Sequence, residues 1–312
     1  MAPHERGGPA VTGLECQGLP MTAVAVAAGR AVETTRPDRL MADPFAAALV
    51  DGAQSSLDLP VAWPAEPQDA PPLQHPLLLA STYIGMRTRF IDDILSSGDP
   101  TGQTVILGAG LDTRAYRLPW QDGARLLELD LGGVLGFKAG VMAGLAAEPG
   151  CELVSVPADL SLPWGGPLRA AGFDPDQATT WVIEGLLPYL DSDAQLQTLT
   201  EVVALSAPGS RAVIERAVAL PRTDDFEAQL REFSDRTGLP MTELLARTDP
   251  PDPARVLEEA GWRCTRHTVQ ELCSRYGRRI SLNPDAGDPG AGPSGTAGSP
   301  DEQRGGFVQA WL

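Results

Sequence analysis

The residues best suited to chemistry begin in the stretch 105–118, VILGAGLDTRAYRL. Val105, Ile106 and Leu107 form a short apolar run that reads as a buried strand, and it ends in Gly108-Ala109-Gly110. Leu111, Asp112 and Thr113 then open a helix. A buried strand passing through a glycine turn into a helix N-terminus presents free backbone N–H groups to a nucleotide. Gly108 permits the tight turn, and Gly110 lets a ligand approach the backbone with no Cβ in the way. Asp112 or Thr113 caps the helix that follows. The dinucleotide fingerprint asks for a third glycine where this chain has Thr113, so the GxGxxG pattern is incomplete.

Three further strand ends carry acids that suit the rest of a nucleoside ligand. RLLELD closes on Asp130, 22 residues past Gly108, near the spacing at which an acid meets ribose hydroxyls. After ELVSV, Asp159 and Leu160 offer an acceptor for the amino group of adenine and an apolar contact for its ring. TWVI leads into Glu184, a carboxylate suited to an ammonium group, and then to Leu186, Leu187, Pro188 and Tyr189. Each has a plainer alternative: Asp130 caps the next helix, Asp159 caps a turn, and Glu184 pairs with an arginine. Arg87 reads equally as a solvated position on a helix. Arg114, in a first helical turn where the dipole disfavours a cation, pairs with Asp112 or meets a substrate. Four successive strand ends with ligand-compatible groups favour the joint reading over the separate ones.

The elements that must position these groups follow from composition and periodicity. Thr22 to Thr34 is a helix rich in alanine and valine. Asp43 caps a second helix, with Pro44 in its first turn, running to Val50. The proline-rich stretch 52–76 is irregular, and Leu77 to Leu95 is a long helix ended by Gly98 to Gly102. Strands then read at 104–107, 125–130, 152–156, 180–183, 211–215, 262–269 and 307–312, with helices between them. Ser192 and Gln195 have capping-box spacing for the helix through Leu205, and Val256 to Ala260 closes another at Gly261. This alternation predicts an α/β fold, a doubly wound, mostly parallel sheet of seven strands. The expected organisation is a flexible tail over 1–19, a helical cap over 20–100, and a ligand-binding domain over 101–312. Two inserts interrupt that domain: an amphipathic lid at 220–250 and a mobile Gly/Pro/Ser/Asp-rich loop at 283–306.

Composition narrows the function. A length of 312 residues supports a full core, and 43% hydrophobic with 21% charged residues is ordinary for a globular protein. A net charge of −17 disfavours nucleic acid and anionic membrane as partners, since both need a basic footprint. Lys138 is the only lysine, a bias read as genomic. Cys16, Cys151, Cys264 and Cys273 form no CxxC pair, and His4, His75 and His267 have no metal-type spacing, so no metal site is expected. No apolar run approaches ~20 residues, and Ala23 to Ala28 lacks the flanks of a signal peptide. A cytoplasmic protein is expected.

GAGLDTRAYRL, LLELD, VPADL and WVIEGLLPYL, in that order, resemble the S-adenosylmethionine-dependent methyltransferases of the leucine carboxyl methyltransferase family. TAVAVAAGRAVETTRPDRLMADPFA is similar to the bacterial branch of that family, which methylates small-molecule oxygens. The resemblance runs from about Leu19 to the C-terminus. It implies the class I, Rossmann-like methyltransferase fold and S-adenosyl-L-methionine as cofactor. It places Arg87 on the methionyl carboxylate, Gly108, Ala109 and Gly110 under the methionyl and ribose portion, and Asp130 on the ribose hydroxyls. Asp159 and Leu160 then hold adenine, and Glu184 the amino group. Two positions depart from the pattern. Ile106 stands where many methyltransferases have an acid, and Ala25, Val26 and Ala27 stand where protein-methylating relatives carry a lysine.

The expected function is therefore O-methylation of a small-molecule carboxylate, such as that of a polyketide or peptide natural product, by a monomer or homodimer. Alignment and burial carry most of the catalysis, because a carboxylate is a nucleophile without a base. Tyr189 is the residue expected to orient the acceptor oxygen. A phenolic acceptor is the alternative within the family. An NAD(P)-dependent oxidoreductase or a catalytically silent binding module is the alternative outside it.

Overall fold

The computed structural model describes residues 19–53, 59–71, 74–97, 101–216, 251–280 and 306–312. The lid expected at 220–250 lies outside them, as do all but the last residue of the tail expected at 1–19 and of the loop expected at 283–306. Seven strands form one sheet: β1 (Gln103–Leu107), β2 (Arg125–Asp130), β3 (Glu152–Pro157), β4 (Thr179–Ile183), β5 (Arg211–Arg216), β6 (Arg263–His267) and β7 (Gly306–Trp311). Their order is β3-β2-β1-β4-β5-β7-β6. All pairings are parallel except those of β7, which runs antiparallel to β5 and β6.

The central strands are apolar on both faces because both faces are covered. Val105, Leu107, Leu129, Trp181 and Ile183 pack into one core layer. Ile106, Leu126, Val182 and Val213 pack into the other, against Phe90 and Ile91. β1 pairs with β2 on one side and β4 on the other, so chain order reverses beside β1. Ligands of open α/β sheets bind outside the carboxyl ends at such a switch point.

Three helices precede the sheet: α1 (Met21–Thr35), α2 (Ala46–Gly52) and α3 (His75–Ser96). α1 crosses α3 closely. A Cβ on Gly29 would stand 2.4 Å from Ile84 Cδ1, so a larger residue there would push the helices apart. Val24, Ala27 and Ala28 of α1 pack with Leu49 and Val50 of α2, Leu111 beyond the glycine turn, and Phe137. α1 and α2 thus pack on the residues that follow β1 and β2.

The remaining helices are α4 (Arg114–Arg117), α5 (Gly132–Gly144), α6 (Gly165–Ala170), α7 (Ser192–Ala204), α8 (Pro253–Glu259) and α9 (Val269–Tyr276). Several local expectations change. The helix after the glycine turn is a single turn. α7 is capped by Asp191, whose carboxylate accepts the Ala194 N–H at 2.9 Å, one residue before the expected Ser192. Asp43 accepts the Phe45 N–H but does not cap α2, which starts at Ala46. Its Oδ2 is drawn instead to Arg30 Nε at 2.8 Å and Thr113 Oγ1 at 2.7 Å, a buried charge pairing that outweighs a cap. The strand expected over 262–269 stops at His267, because Thr268 and Glu271 form a capping box that opens α9.

Candidate active site at the strand ends

A cleft of about 250 Å³ opens at the carboxyl ends of β1, β2, β3 and β4 and is covered by α1. It is lined by Gly108, Ala109, Gly110, Asp130, Asp159, Leu160, Glu184, Arg87 and Tyr189, every residue that the sequence singled out for binding or orientation.

β1 delivers the glycine turn. Gly108 takes φ +67°, a left-handed conformation that disfavours a side chain, and an added Cβ would press on Leu186 at 3.1–3.2 Å. The N–H groups of Gly108 and Ala109 donate to Leu129 O at 2.9 and 3.0 Å, which fastens the turn to β2. The next N–H, that of Gly110, donates to Asp130 Oδ2 at 2.7 Å. Asp130 Oδ1 accepts the Leu131 N–H at 2.7 Å. This is not the helix cap that the plainer reading proposed, since α5 has no side-chain cap. A carboxylate has about four acceptor sites, so Asp130 retains capacity for hydroxyl donors.

Asp159 is exposed. Its Oδ1 accepts the Ser161 N–H at 2.9 Å and the Ser161 hydroxyl at 2.6 Å. These bonds hold its carboxyl below the usual range. Among the described residues, Oδ2 has no hydrogen-bond partner. Leu160, beside it, is buried against the core while lining the cleft.

Glu184 is already paired. Its Oε1 meets Arg87 Nε at 2.7 Å, and its Oε2 meets Arg114 Nη1 at 2.6 Å. Burial opposes its ionisation, but the charges of Arg114 and Arg87 outweigh that and keep its pKa below the ordinary value. Arg87 is buried rather than a solvated helix position, and its Nη1 also meets Glu215 at 3.0 Å. Arg114 pairs with Asp112, as one sequence alternative had it, and with Asp92 at 2.8 Å. Asp92 in turn takes Arg117. Beneath the cleft there is thus a row of alternating charges in which Arg87, Arg114 and Arg117 stand against Asp92, Asp112, Glu184 and Glu215. Its surplus is negative, which favours a cationic ligand.

Tyr189 sits in a short 3₁₀ turn, Leu187–Tyr189, and is half-exposed. Its phenol is hydrogen-bonded to the Thr22 side chain of α1, and burial raises its pKa, so it stays a donor at neutral pH.

Four lining or supporting residues were not foreseen. Arg30, one of two lining arginines, pairs with Asp43 and donates from Nη2 to Leu111 O at 2.6 Å. Leu131 is 47% exposed beside Asp130 and lines the cleft, an apolar surface suited to a ring face. Glu215 and Tyr83 support Arg87 from β5 and α3. Glu215 had a usable signal, since it ends the fifth strand as Glu184 ends the fourth. Arg30 had no such signal, since it lies inside an alanine-rich helix far from any strand end.

Among the described residues, no group of three or more His, Cys, Asp or Glu is arranged to hold a metal ion. None of their helices is long and apolar enough to cross a membrane.

Comparison with known proteins agrees with the geometry. Residues 23–203 match the sequence model described as leucine carboxyl methyltransferase. The chain is similar to a Saccharopolyspora erythraea protein named "Putative S-adenosyl-L-methionine-dependent methyltransferase", 40% identical over 85% of this chain and 90% of that one. A Streptomyces coelicolor protein of the same designation is 39% identical over 84% of this chain and 87% of that one. A solved DUF574 family structure from Streptomyces avermitilis is similar over 89% of this chain and 97% of that one, at 13% identity and a TM-score of 0.48. The chain therefore belongs to the leucine carboxyl methyltransferase family and is an S-adenosylmethionine-dependent methyltransferase.

Proposed function

We propose that the protein transfers a methyl group from S-adenosylmethionine to the carboxylate oxygen of a small-molecule acceptor, in the cytoplasm and in specialised metabolism. The donor set fits the cofactor. S-Adenosylmethionine brings hydroxyls, an adenine amino group, an ammonium and a sulfonium, all donors or cations. The cleft answers with Asp130, Asp159 and Glu184, and with a glycine turn whose left-handed backbone keeps side chains out of the way. In this reading Asp130 holds the ribose hydroxyls, Asp159 and Leu160 the adenine, Glu184 the ammonium, Arg87 the methionyl carboxylate, and Leu131 the ring face. The helical segment 20–100 acts as the cap, with the domain from 101 onward carrying the chemistry.

When bound, the cofactor supplies an electrophilic methyl group. The observation that carries the carboxylate reading is the absence of a base. Among the described residues lining the cleft there is no His, Lys or Cys. The carboxyls of Asp159 and Glu184 are held below their ordinary values, too weakly basic to deprotonate a phenol. Tyr189 is held above its own and cannot supply a phenolate at neutral pH. A carboxylate acceptor needs no proton removed, so the residues have only to orient it and exclude water. Arg30 provides the cation for it. Its Nε and Nη2 are committed to Asp43 and Leu111 O, and Nη1 has no hydrogen-bond partner among the described residues. In this reading Tyr189, which also lines the cleft, donates to the same carboxylate.

The test is product chemistry with labelled methyl donor and a panel of small carboxylic acids and phenols. A methyl ester that releases methanol in mild base is the expected product. A base-stable aryl ether would overturn the carboxylate reading while leaving the methyltransferase standing.

A further inference from the structure

Glu184 and Glu215 close neighbouring parallel strands. Ile183 and Ile214 are register partners of β4 and β5, and each is followed at once by a glutamate. Two carboxylates so placed repel each other unless a cation stands between them. Arg87 does, with Nε on Glu184 Oε1 at 2.7 Å and Nη1 on Glu215 Oε2 at 3.0 Å. Glu215 has two further partners. Its Oε1 accepts the Tyr83 hydroxyl at 2.5 Å, and its Oε2 accepts the Gly185 N–H at 2.7 Å. One carboxylate thus joins β5, the turn after β4, and two residues of α3 one helical turn apart. All three side chains are largely buried, Arg87 and Glu215 at 8% and 11% side-chain exposure.

We propose that Glu215, with Tyr83, is a positioning residue that sets where Arg87 presents its guanidinium in the cleft. The proposal rests on the reading of Arg87 as the residue that meets the methionyl carboxylate. Glu184 alone would hold Arg87 by a charge contact at Nε that forms no aligned hydrogen bond, leaving the planar group free to turn about it. The second carboxylate at Nη1 removes that freedom, and among the described residues it leaves Nη2 without a hydrogen-bond partner, available to a ligand. A guanidinium held on two edges is pre-organised, so less ordering is lost when an anion binds. Glu215 itself does not line the cleft, so its effect on ligand passes through Arg87 and the Gly185 turn. Tyr83 keeps Glu215 in place, and burial beside Glu215 raises the Tyr83 pKa, so it remains a donor.

The effect should fall on one end of the cofactor only. S-Adenosylhomocysteine and 5′-methylthioadenosine share the nucleoside and the thioether, but only the former carries the amino-acid end. Isothermal titration of both ligands on the full chain reads the difference. Glu215→Gln keeps size and one acceptor while removing the negative charge that faces Arg87. It should weaken S-adenosylhomocysteine about tenfold and 5′-methylthioadenosine less than about twofold, the scale of one charge-assisted hydrogen bond. Tyr83→Phe, a milder change, should show the same selectivity at roughly threefold, and it carries the test should the glutamine variant not fold. Arg87→Met is the control for the underlying reading and should lose S-adenosylhomocysteine selectively. If Arg87→Met weakens both ligands alike or neither, the reading of Arg87 fails, and the proposal with it. If Arg87→Met is selective while the Glu215 and Tyr83 variants bind S-adenosylhomocysteine as wild type, or lose both ligands alike, the positioning role is overturned.

Discussion

Lys138, the only lysine of the chain, closes a 2.7 Å ion pair with Glu128 in the interior behind the glycine turn. The two side chains are 3% and 0% exposed. A pair so deep contributes little net stability over an apolar substitute, but breaking it strands a buried charge. Lys138→Met should therefore destabilise the protein by about 3–5 kcal/mol, and the double variant Lys138→Met, Glu128→Leu should recover most of that loss. Urea denaturation of the three proteins measures both. A single variant as stable as wild type would overturn the stranded-charge argument.

Asp130 is expected to serve ligand and scaffold together, because both of its oxygens already receive backbone N–H groups. Asp130→Ala should weaken cofactor binding by about 1.5–3 kcal/mol, the scale of hydrogen bonds to a charged group. Titration calorimetry on the folded variant decides it. Unchanged affinity with lowered stability would leave Asp130 as a fastener of the glycine turn alone.

Stability should fall steeply in acid. Burial by itself would raise the Asp112 carboxyl, but Arg114, Arg117 and Lys138 outweigh it and hold it at about 2, against an ordinary 3.8. The folded value lies below the unfolded one, so the contribution is complete above about pH 4 and is lost as pH falls towards 2. That loss is on the order of 2 kcal/mol for Asp112. Asp43 and Glu184 are shifted the same way. Glu33 and Glu128 are raised by burial and have the opposite sign: they favour folding as they take up protons above pH 4.5. Denaturation curves from pH 7 to 2 should show the decline confined to the region below pH 4. Asp112→Asn should flatten it, and an unaltered slope in that variant would refute the assignment.

The methylation rate should be nearly flat between pH 6 and 9. A carboxylic acid acceptor is fully ionised across that window, whereas a phenol of pKa near 10 would react faster as its phenolate fraction grows. Asp159 and Glu184 are held low and Tyr189 high, so these three groups keep one charge state across that window. Initial rates with labelled donor and a fixed acceptor measure the profile. A rate that climbs through pH 8 would count against the carboxylate.

Much of this could be read before any coordinates. β1 and β4, buried on both faces, are marked in the sequence by the short apolar runs Val105–Leu107 and Trp181–Ile183. Their ends are marked by Gly108 and by Glu184, so the rule that parallel sheets gather ligands at their carboxyl ends was enough to collect the cleft. Glu215, which follows Ile214 near the end of the fifth strand, obeys the same rule. Caps were less legible. Ser192 and Asp191 are adjacent and both plausible, and a single hydrogen bond to Ala194 chooses between them.

The sequence by itself determined the sheet, the glycine turn and the set of polar groups at its rim, because those depend on local pattern: apolar runs, turn residues and strand-end acids. Only the tertiary structure decided which charges neutralise one another. Arg114 and Glu184 are 70 residues apart, and Arg87 and Glu215 are 128 apart. Asp43 left its helix for Arg30 and Thr113, and Lys138 found Glu128. An ion pair between distant residues exists only once the helices dock on the sheet and exclude water. In that low-dielectric setting a charge must find the nearest opposite one, whatever its spacing along the chain.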